Sequence, residues 1–282
     1  ASFDAFKVEY NAYTKAPLDI VFFSFFVSHT SRIARLFAQP RGNALLVGVG
    51  GSGKRSAARF AAFISDFRVM QIELTKTYTF ADWREDLKGI LREAGTYHRP
   101  VVFILEDSQL RWEGMVEDVN NVLHSGCVPN LYAADERAEI VEKMRPVAAS
   151  QGLPKSISDG ELYKLFVRRM RSNVHLVLCM SPASESFRSR LRKYPALVSS
   201  CTIDWFFPWP TTALRAVGRT AISDLQLPTI HANSVVALAT DFHRISRAQA
   251  RVYRESFKRF AYVTPTSFME LFTLFRKTLT DQ

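Results

Sequence analysis

The sequence predicts an α/β protein with a parallel sheet covered on both faces by helices, followed by a smaller all-helical domain. Short apolar runs alternate with helical periodicity along most of the chain, and several runs are apolar at every position. Strands of that kind are typical of parallel sheets with helices on both sides. Strand patterns stop after Trp209-Pro210. We therefore predict an α/β domain over 1–209 and a helical domain over 210–282.

The first elements follow from periodicity and turn residues. Leu18–Phe37 has helical spacing and ends at the turn Pro40-Arg41-Gly42. The apolar run Ala44–Val47 predicts the first strand, and the Ala- and Phe-rich segment Arg55–Phe67 predicts the helix after it. Alternation over Val69–Leu74 predicts a second strand.

The remaining elements are justified in the same way. Thr79 followed three residues later by Asp82 predicts a capped helix that ends near Gly95. Pro100 opens the buried strand Val101–Leu105, and the helix after that strand is closed by Gly126 and Pro129. Further helices are predicted over 134–150, 159–172, 211–224, 230–261 and 265–279, and further strands over Val174–Met180 and Thr202–Phe206.

A glycine-rich segment lies between the first strand and the helix that follows it. Residues 48–54 read Gly-Val-Gly-Gly-Ser-Gly-Lys, the G-x-x-x-x-G-K frame of a P-loop. Glycines let backbone N–H groups converge on phosphate oxygens, the lysine adds a point charge, and the helix N-terminus adds partial positive charge. We predict that ATP or ADP binds here, at Gly48, Gly50, Gly51, Ser52, Gly53, Lys54, Arg55 and Ser56.

Two features bear on catalysis. Arg55 stands where a P-loop ATPase has the Ser or Thr that holds Mg²⁺, so Mg²⁺ binding is predicted to be weakened. Glu106 and Asp107 end a buried strand, as a Walker B acid pair would: the first acid holds Mg²⁺ through water and the second orients the attacking water. The usual order, Asp then Glu, is reversed. The alternative interpretation is an acid that caps a helix at the strand end.

Other polar residues leave two interpretations open. Ser181 follows a strand and would either contact the γ-phosphate as a sensor or form a turn before Pro182. The cluster Arg188, Arg190, Arg192 and Lys193 would be either a source of an arginine finger or an exposed basic face.

The net charge of +10 lies entirely in residues 151–282, because residues 1–150 carry 18 basic and 18 acidic side chains. A stripe of basic residues recurs at helical spacing from Arg244 to Lys258, and it would face an acidic partner or solvent. The aromatic run Trp205–Pro210 would be a hydrophobic joint or a stacking platform for bases. No apolar run is long enough to span a membrane, and the three scattered cysteines are interpreted as buried thiols in a reducing compartment.

Together these segments resemble an AAA+ module, and specifically the fourth module of an axonemal dynein heavy chain. The resemblance covers nearly the full chain. Its most specific stretches are Leu178-Cys179-Met180-Ser181-Pro182 and Cys201–Phe206. The other resembling stretches are Pro17–Phe23, Ser31–Arg35, Gln39–Val47, the P-loop itself and Tyr262–Phe268. It implies a three-layer core with sheet order 5-1-4-3-2, a helical lid, and a loop containing Leu18 and Ile20 against adenine.

The resemblance also implies partners and a place in the cell. The chain would contact adjacent AAA+ modules of the same heavy chain and would act on microtubules through a stalk beyond residue 282. Light and intermediate chains would belong to the same complex, in the cytoplasm and the cytoskeleton of a cilium or flagellum. Neither nucleic acid nor membrane is an expected partner.

The departures from the family pattern concern hydrolysis. Ser181 stands where cytoplasmic dyneins often have Asn, and Ser200 stands where they have an arginine directed at the preceding module's site. We therefore expect a regulatory module that binds nucleotide with weak or no hydrolysis. An active AAA+ ATPase and, more remotely, a nucleic-acid-binding P-loop ATPase are the alternatives.

Overall fold

A computed structural model of the chain describes residues 3–14, 21–154, 156–183 and 185–280. The strands within these residues are β1 (Ala44–Gly48), β2 (Arg68–Met70), β3 (Val101–Glu106), β4 (Val174–Met180) and β5 (Thr202–Phe206). They form one sheet in the order β2-β3-β4-β1-β5. Counted from the other edge this order is 5-1-4-3-2, so the predicted topology is confirmed.

The helices lie before, between and after the strands. Their bounds are α1 (Phe3–Tyr13), α2 (Ser24–Phe37), α3 (Lys54–Ile64), α4 (Phe80–Gly95), α5 (Glu113–His124), α6 (Ala134–Ser150), α7 (Asp159–Asn173), α8 (Glu185–Lys193), α9 (Ala196–Ser199), α10 (Thr211–Ala221), α11 (Thr229–Phe257) and α12 (Pro265–Thr280). A single 3-10 turn, Asp107–Gln109, directly follows β3. No helix among the described residues is both long enough and apolar enough to cross a bilayer.

The centre of the sheet is parallel and fully buried. Leu45 of β1 pairs with Leu178 of β4, and Ile104 of β3 pairs with Val177 of β4, all in parallel register. Every residue of β1 and β4 is buried, including His175. The continuous apolar runs in the sequence therefore predicted the right kind of strand.

His175 is accommodated in this apolar strand by one hydrogen bond. Its Nδ1 donates to the carbonyl oxygen of Gly42 at 2.7 Å. Burial lowers the pKa of His175, so the ring stays neutral near pH 7 and keeps the proton that this bond needs.

The capped helix α4 packs against one face of the sheet. The Thr79 N–H donates to the Asp82 carboxylate at 2.8 Å, and the Asp82 N–H donates to the Thr79 hydroxyl at 3.3 Å, which completes the predicted capping box. Trp83 is fully buried beside Phe103 of β3, with ring centroids 6.1 Å apart. Its indole N–H donates to the buried carboxylate of Asp118 at 3.0 Å.

Three sequence-based bounds are corrected. The helix predicted from Leu18 is corrected over residues 21–23, which are not helical, since α2 begins at Ser24; residues 18–20 lie outside the described residues. Phe22, just before α2, contacts Phe3 of α1 with ring centroids 5.6 Å apart. The helix predicted to Phe67 ends at Ile64, where Asp66 adopts a φ of +57° and reverses the chain.

The second strand is also shorter than predicted, ending at Met70 instead of Leu74. Beyond Met70 the backbone bonds to a side chain instead of to β3, because the carbonyl oxygen of Ile72 accepts from Gln109 Nε2 at 2.8 Å. The helix α1 was not predicted at all.

The chain divides into two compact units. The phosphate-loop unit consists of 1–29, 48–56 and 205–282, and the sheet unit consists of 30–47 and 57–204. The units interleave along the chain, so neither corresponds to one uninterrupted segment. The domain boundary predicted between residues 209 and 210 stays a proposal.

Helices α10, α11 and α12 give the phosphate-loop unit an apolar core of its own. Leu214, Val236, Phe268 and Phe272 are buried together there. Gly218 lets α10 approach closely, because a Cβ at this position would lie 2.9 Å from the Phe272 ring. The helices predicted over 211–224, 230–261 and 265–279 are confirmed, but the first two end earlier than predicted, at Ala221 and Phe257.

Candidate functional site

The segment between β1 and α3, residues 48–54, forms a tight glycine-dependent turn, which we call the phosphate loop. Gly51 and Gly53 have φ angles of +72° and +96°, a region that residues with a Cβ enter only at a cost. A Cβ on Gly50 would meet no heavy atom within 4 Å. The turn is therefore bent at two glycines and open beside the third.

Lys54 lies along the backbone of this loop. Its Nζ donates to the carbonyl oxygens of Gly48 at 2.6 Å and Val49 at 2.9 Å, and it lies 3.3 Å from the Ser52 hydroxyl. The ammonium is thus held at the loop by acceptors that belong to the loop itself. These three contacts match the three donors of an ammonium, so an anion bound at the turn would take the place of one of the loop acceptors.

Three residues of the segment 205–282, which belongs to the same unit, contact the phosphate loop. A Cβ on Gly48 would lie 2.8 Å from the Phe206 carbonyl oxygen, and a Cβ on Gly51 would lie 2.0 Å from Thr266 Oγ1. The Trp209 indole N–H donates to the Ser52 carbonyl oxygen at 3.3 Å. Gly48 is therefore required by close approach, and Gly51 by both close approach and backbone conformation.

Aromatic side chains extend this support. Trp209 packs edge-on against Phe23 with centroids 5.4 Å apart, and Phe206 stacks on His29 at 4.1 Å. Within the aromatic run 205–210, these two residues are thus engaged inside the unit, whereas Phe207 is 64% exposed. The sequence placed Trp209 in an aromatic cluster but did not predict its bond to the loop.

The predicted Walker B acids lie in the sheet unit. Glu106 is the last residue of β3, and its N–H donates to Gln109 Oε1 at 2.8 Å. Asp107 opens the 3-10 turn, and its carboxylate forms an ion pair with Arg190 of α8. The same guanidinium donates to the Leu110 carbonyl oxygen at 3.3 Å. Of the four basic residues that the sequence singled out on α8, Arg190 therefore faces inward.

Ser181 directly follows β4, the strand beside β3. Its hydroxyl accepts the N–H of Ala183 at 3.3 Å, which is the local turn that the sequence left open as one interpretation. Cys179, two residues earlier, pairs with Glu106 in the parallel register. Ser181 and the acids thus leave the same edge of the sheet, and the sensor role of Ser181 stays a prediction.

Comparison with known proteins identifies the family. A family model described as "P-loop containing dynein motor region D4" matches residues 18–278. The chain belongs to this family. The match runs from the segment before α2 to the last turns of α12, so it includes the phosphate loop, the acids and the helical segment.

Axonemal dynein heavy chains are among the relatives that this chain resembles. Dynein axonemal heavy chain 3 of Homo sapiens is 40% identical over 274 residues, which are 97% of this chain and 7% of that one. Dynein axonemal heavy chain 1 of Homo sapiens is 42% identical over 270 residues. The dynein-1-beta heavy chain of the flagellar inner arm I1 complex of Chlamydomonas reinhardtii is 42% identical over 255 residues, 90% of this chain and 6% of that one. The chain thus spans about 6–7% of the length of these relatives.

In this member of the dynein motor family, Arg55 is exposed in the first turn of α3 and Ser56 is partly buried. The positions predicted to contact adenine, Leu18 and Ile20, lie outside the described residues. The described residues contain no group of three or more His, Cys, Asp or Glu side chains that could hold a metal ion.

One expectation about the cysteines is wrong. Cys179 is buried and Cys201 is partly buried, but Cys127 is exposed. Burial raises the pKa of the Cys201 thiol to about 12, which makes it a poor nucleophile near neutral pH. Cys127 follows Gly126, whose φ of +76° turns the chain outward after α5.

Proposed function

We propose that this chain is a nucleotide-binding regulatory module of an axonemal dynein motor ring, with weak or no ATP hydrolysis of its own. The observation that carries the proposal is the phosphate loop: two glycines at positive φ, open space at Gly50, and the Lys54 ammonium held against the loop backbone. Backbone amides converging on a lysine-bearing turn are suited to the phosphates of ATP or ADP.

The limited hydrolysis follows from the metal and acid positions. Arg55 has no oxygen to offer Mg²⁺, and its positive charge disfavours a second cation beside it. Glu106 would hold Mg²⁺ through water and Asp107 would orient the attacking water, but Asp107 is engaged with Arg190. Without a well-placed metal and water, a bound nucleotide would be retained longer than it is turned over.

Membership of the dynein family supports the proposed partners and place of action. The module would be the fourth of its ring and would contact adjacent AAA+ modules of the same heavy chain. Coupling to microtubules would pass through a stalk beyond residue 282, and light and intermediate chains would complete the motor. The place of action would be the axoneme of a cilium or flagellum, where the motor contributes to movement.

A binding experiment tests the proposal. In the heavy chain that carries this sequence, we expect Lys54→Ala to lower the number of tightly bound nucleotides by one, because the loop loses its cation. Equilibrium binding of labelled ATP and ADP measures this number. Lys76→Ala removes the same charge from an exposed loop position and should leave it unchanged. An unchanged number in Lys54→Ala contradicts the proposal.

The competing candidate is an active ATPase, and the presence of both acids at the end of β3 is the observation in its favour. Steady-state phosphate release separates the two functions. If this module hydrolyses ATP, release falls in both Lys54→Ala and Asp107→Asn. If it is a regulatory module, Asp107→Asn leaves release unchanged.

A further inference from the structure

Arg190 occupies an unusual position beside the predicted water-orienting acid. In ATP hydrolysis, the oxygen of water bonds to the γ-phosphorus while the bond to the β–γ bridging oxygen breaks and ADP leaves with that electron pair. A nearby carboxylate orients the water and accepts its proton, which then passes to solvent. A carboxylate can do this only if its oxygens are available to water.

One of the two oxygens of the Asp107 carboxylate is engaged by a cation. Its Oδ1 pairs with a terminal nitrogen of Arg190, and the two side chains are only 19% and 12% exposed. The other terminal nitrogen of Arg190 donates to the Leu110 carbonyl oxygen at 3.3 Å. Asp107 and Leu110 lie at the two ends of the 3-10 turn, so one guanidinium holds the whole turn that carries the acid.

The burial of Arg190 indicates that the pair is part of the packed structure rather than a surface contact. The Nε of Arg190 is buried and has no hydrogen-bond partner. Leaving a buried guanidinium N–H unpaired is costly, and the ion pair offsets that cost. Exposed ion pairs contribute little to stability. Breaking a partly buried pair costs more, because it leaves a charge with restricted access to water.

A second contact fixes α8 beside the same segment. Lys193 Nζ lies 3.1 Å from the Glu113 carboxylate at the start of α5, and hydrogen bonding to Lys193 lowers the pKa of Glu113. Arg190 and Lys193 are one turn apart on α8, so both contacts align along one helix face. Two side chains of α8 thus hold it beside the segment that carries Asp107.

We propose that Arg190 is a positioning residue that keeps Asp107 in an ion pair and thereby holds back hydrolysis in this module. This inference rests on the proposed nucleotide binding and adds a residue that controls its outcome. Movement of α8 away from the 3-10 turn would free the carboxylate, so hydrolysis would depend on the conformation of α8.

The test measures the phosphate release that depends on Lys54, namely the difference between a heavy chain with Lys54 and the same chain with Lys54→Ala. We expect Arg190→Gln to raise this release at least tenfold, which is below the 10²–10⁴ range typical of general acid–base catalysis. The increase should disappear in Arg190→Gln with Asp107→Asn, because it requires the freed carboxylate. Arg192→Gln is the matched control: it removes the same charge from an exposed position of the same helix and should have no effect.

The same variants are then compared in a second background that carries Arg55→Thr, which places a hydroxyl where a P-loop ATPase holds Mg²⁺. An increase in either background supports the inference, and the absence of one in both overturns it. Nucleotide binding is measured in parallel. Lys54-dependent binding retained in Arg190→Gln shows that the variant is folded, so an unchanged release then counts against Arg190 alone. Binding that is independent of Lys54 in the natural sequence counts against the proposed function instead.

Discussion

The phosphate loop and the acid pair each follow a strand of one sheet, but different kinds of group hold them in place. The phosphate loop depends on backbone: glycine conformations, main-chain carbonyls around Lys54, and close contacts at Gly48 and Gly51. The acid turn depends on side chains: Gln109 fixes Glu106, and Arg190 engages Asp107. Binding and hydrolysis can therefore diverge in one protein, since substitutions change side chains and leave the backbone loop in place.

The strongest test of this difference concerns the phosphate loop itself. Gly51→Ala should weaken nucleotide binding at least tenfold, because its Cβ would meet Thr266 Oγ1 at 2.0 Å and its φ is +72°. Strain of this kind costs about 1–3 kcal/mol. Gly152→Ala is the control, since Gly152 has the same φ of +72° outside the loop and its Cβ would meet nothing within 4 Å. Equal affinities of the two variants for labelled nucleotide would show that close packing at the loop has no role.

The corresponding test of the acid turn uses Gln109. Gln109→Ala removes two hydrogen bonds, one to the Glu106 N–H and one to the Ile72 carbonyl oxygen, both 2.8 Å long. We expect the free energy of unfolding of the sheet unit to fall by about 1–3 kcal/mol. Denaturant unfolding measures it, with Ser108→Ala as an exposed control in the same turn. No difference between the two would mean that Gln109 does not support the acids.

A smaller effect is expected from the indole of Trp209. Trp209→Phe keeps an aromatic ring beside Phe23 but removes the 3.3 Å hydrogen bond to the Ser52 carbonyl oxygen. One such bond contributes about 1 kcal/mol, so nucleotide affinity should fall about fivefold. Phe207→Leu alters an exposed ring of the same run and serves as the control. A loss of a hundredfold or more would assign Trp209 a direct contact with the nucleotide.

The smallest expected effect is a pH dependence from the sheet. Burial lowers the pKa of His175, whereas the unfolded chain has a histidine pKa of about 6.5. Below that pH the unfolded state binds more protons than the folded state, so stability falls as pH decreases. When the pH falls from about 7 to about 5.5, we expect this residue to lower the free energy of unfolding by about 1 kcal/mol.

Urea unfolding at the two pH values measures the effect. His175→Gln should flatten the dependence, and His231→Gln, at an exposed position of α11, should preserve it. A dependence unchanged in His175→Gln would assign it to other groups.

The sequence allowed prediction of the features that local residues determine. The strands β1, β3 and β4, the Thr79–Asp82 capping box and the phosphate loop each follow from a few adjacent positions. The topology also needed the resemblance to AAA+ modules. The shorter β2 could not be foreseen, because the competing partner of Ile72 is Gln109, 37 positions away. The helix α1 buries only Tyr10, so its periodicity carries little signal.

The site was predictable to the same extent. The glycines and Lys54 are identified by their spacing, but the supports from Trp209 and Thr266 depend on how distant segments of the chain approach the loop. The pair between Asp107 and Arg190 joins residues 83 positions apart. One signal was present: a basic cluster on the helix after β4, beside the strand that ends in the acids. It indicated the region and did not single out Arg190.

The phosphate-loop unit is assembled from three separate segments of the chain, which affects the order in which it can fold during synthesis. Its three segments include 48–56 and 205–282, so the turn that holds phosphate emerges from the ribosome long before the residues that brace it. Chains are synthesised from the N-terminus, and contacts between distant positions form late because a large loop must close first. The sheet unit is complete once residue 204 has emerged, whereas the phosphate loop receives its bracing contacts only after residues 205–282 have emerged. ATP or ADP in the cell would therefore act as a late folding ligand that stabilises this last step.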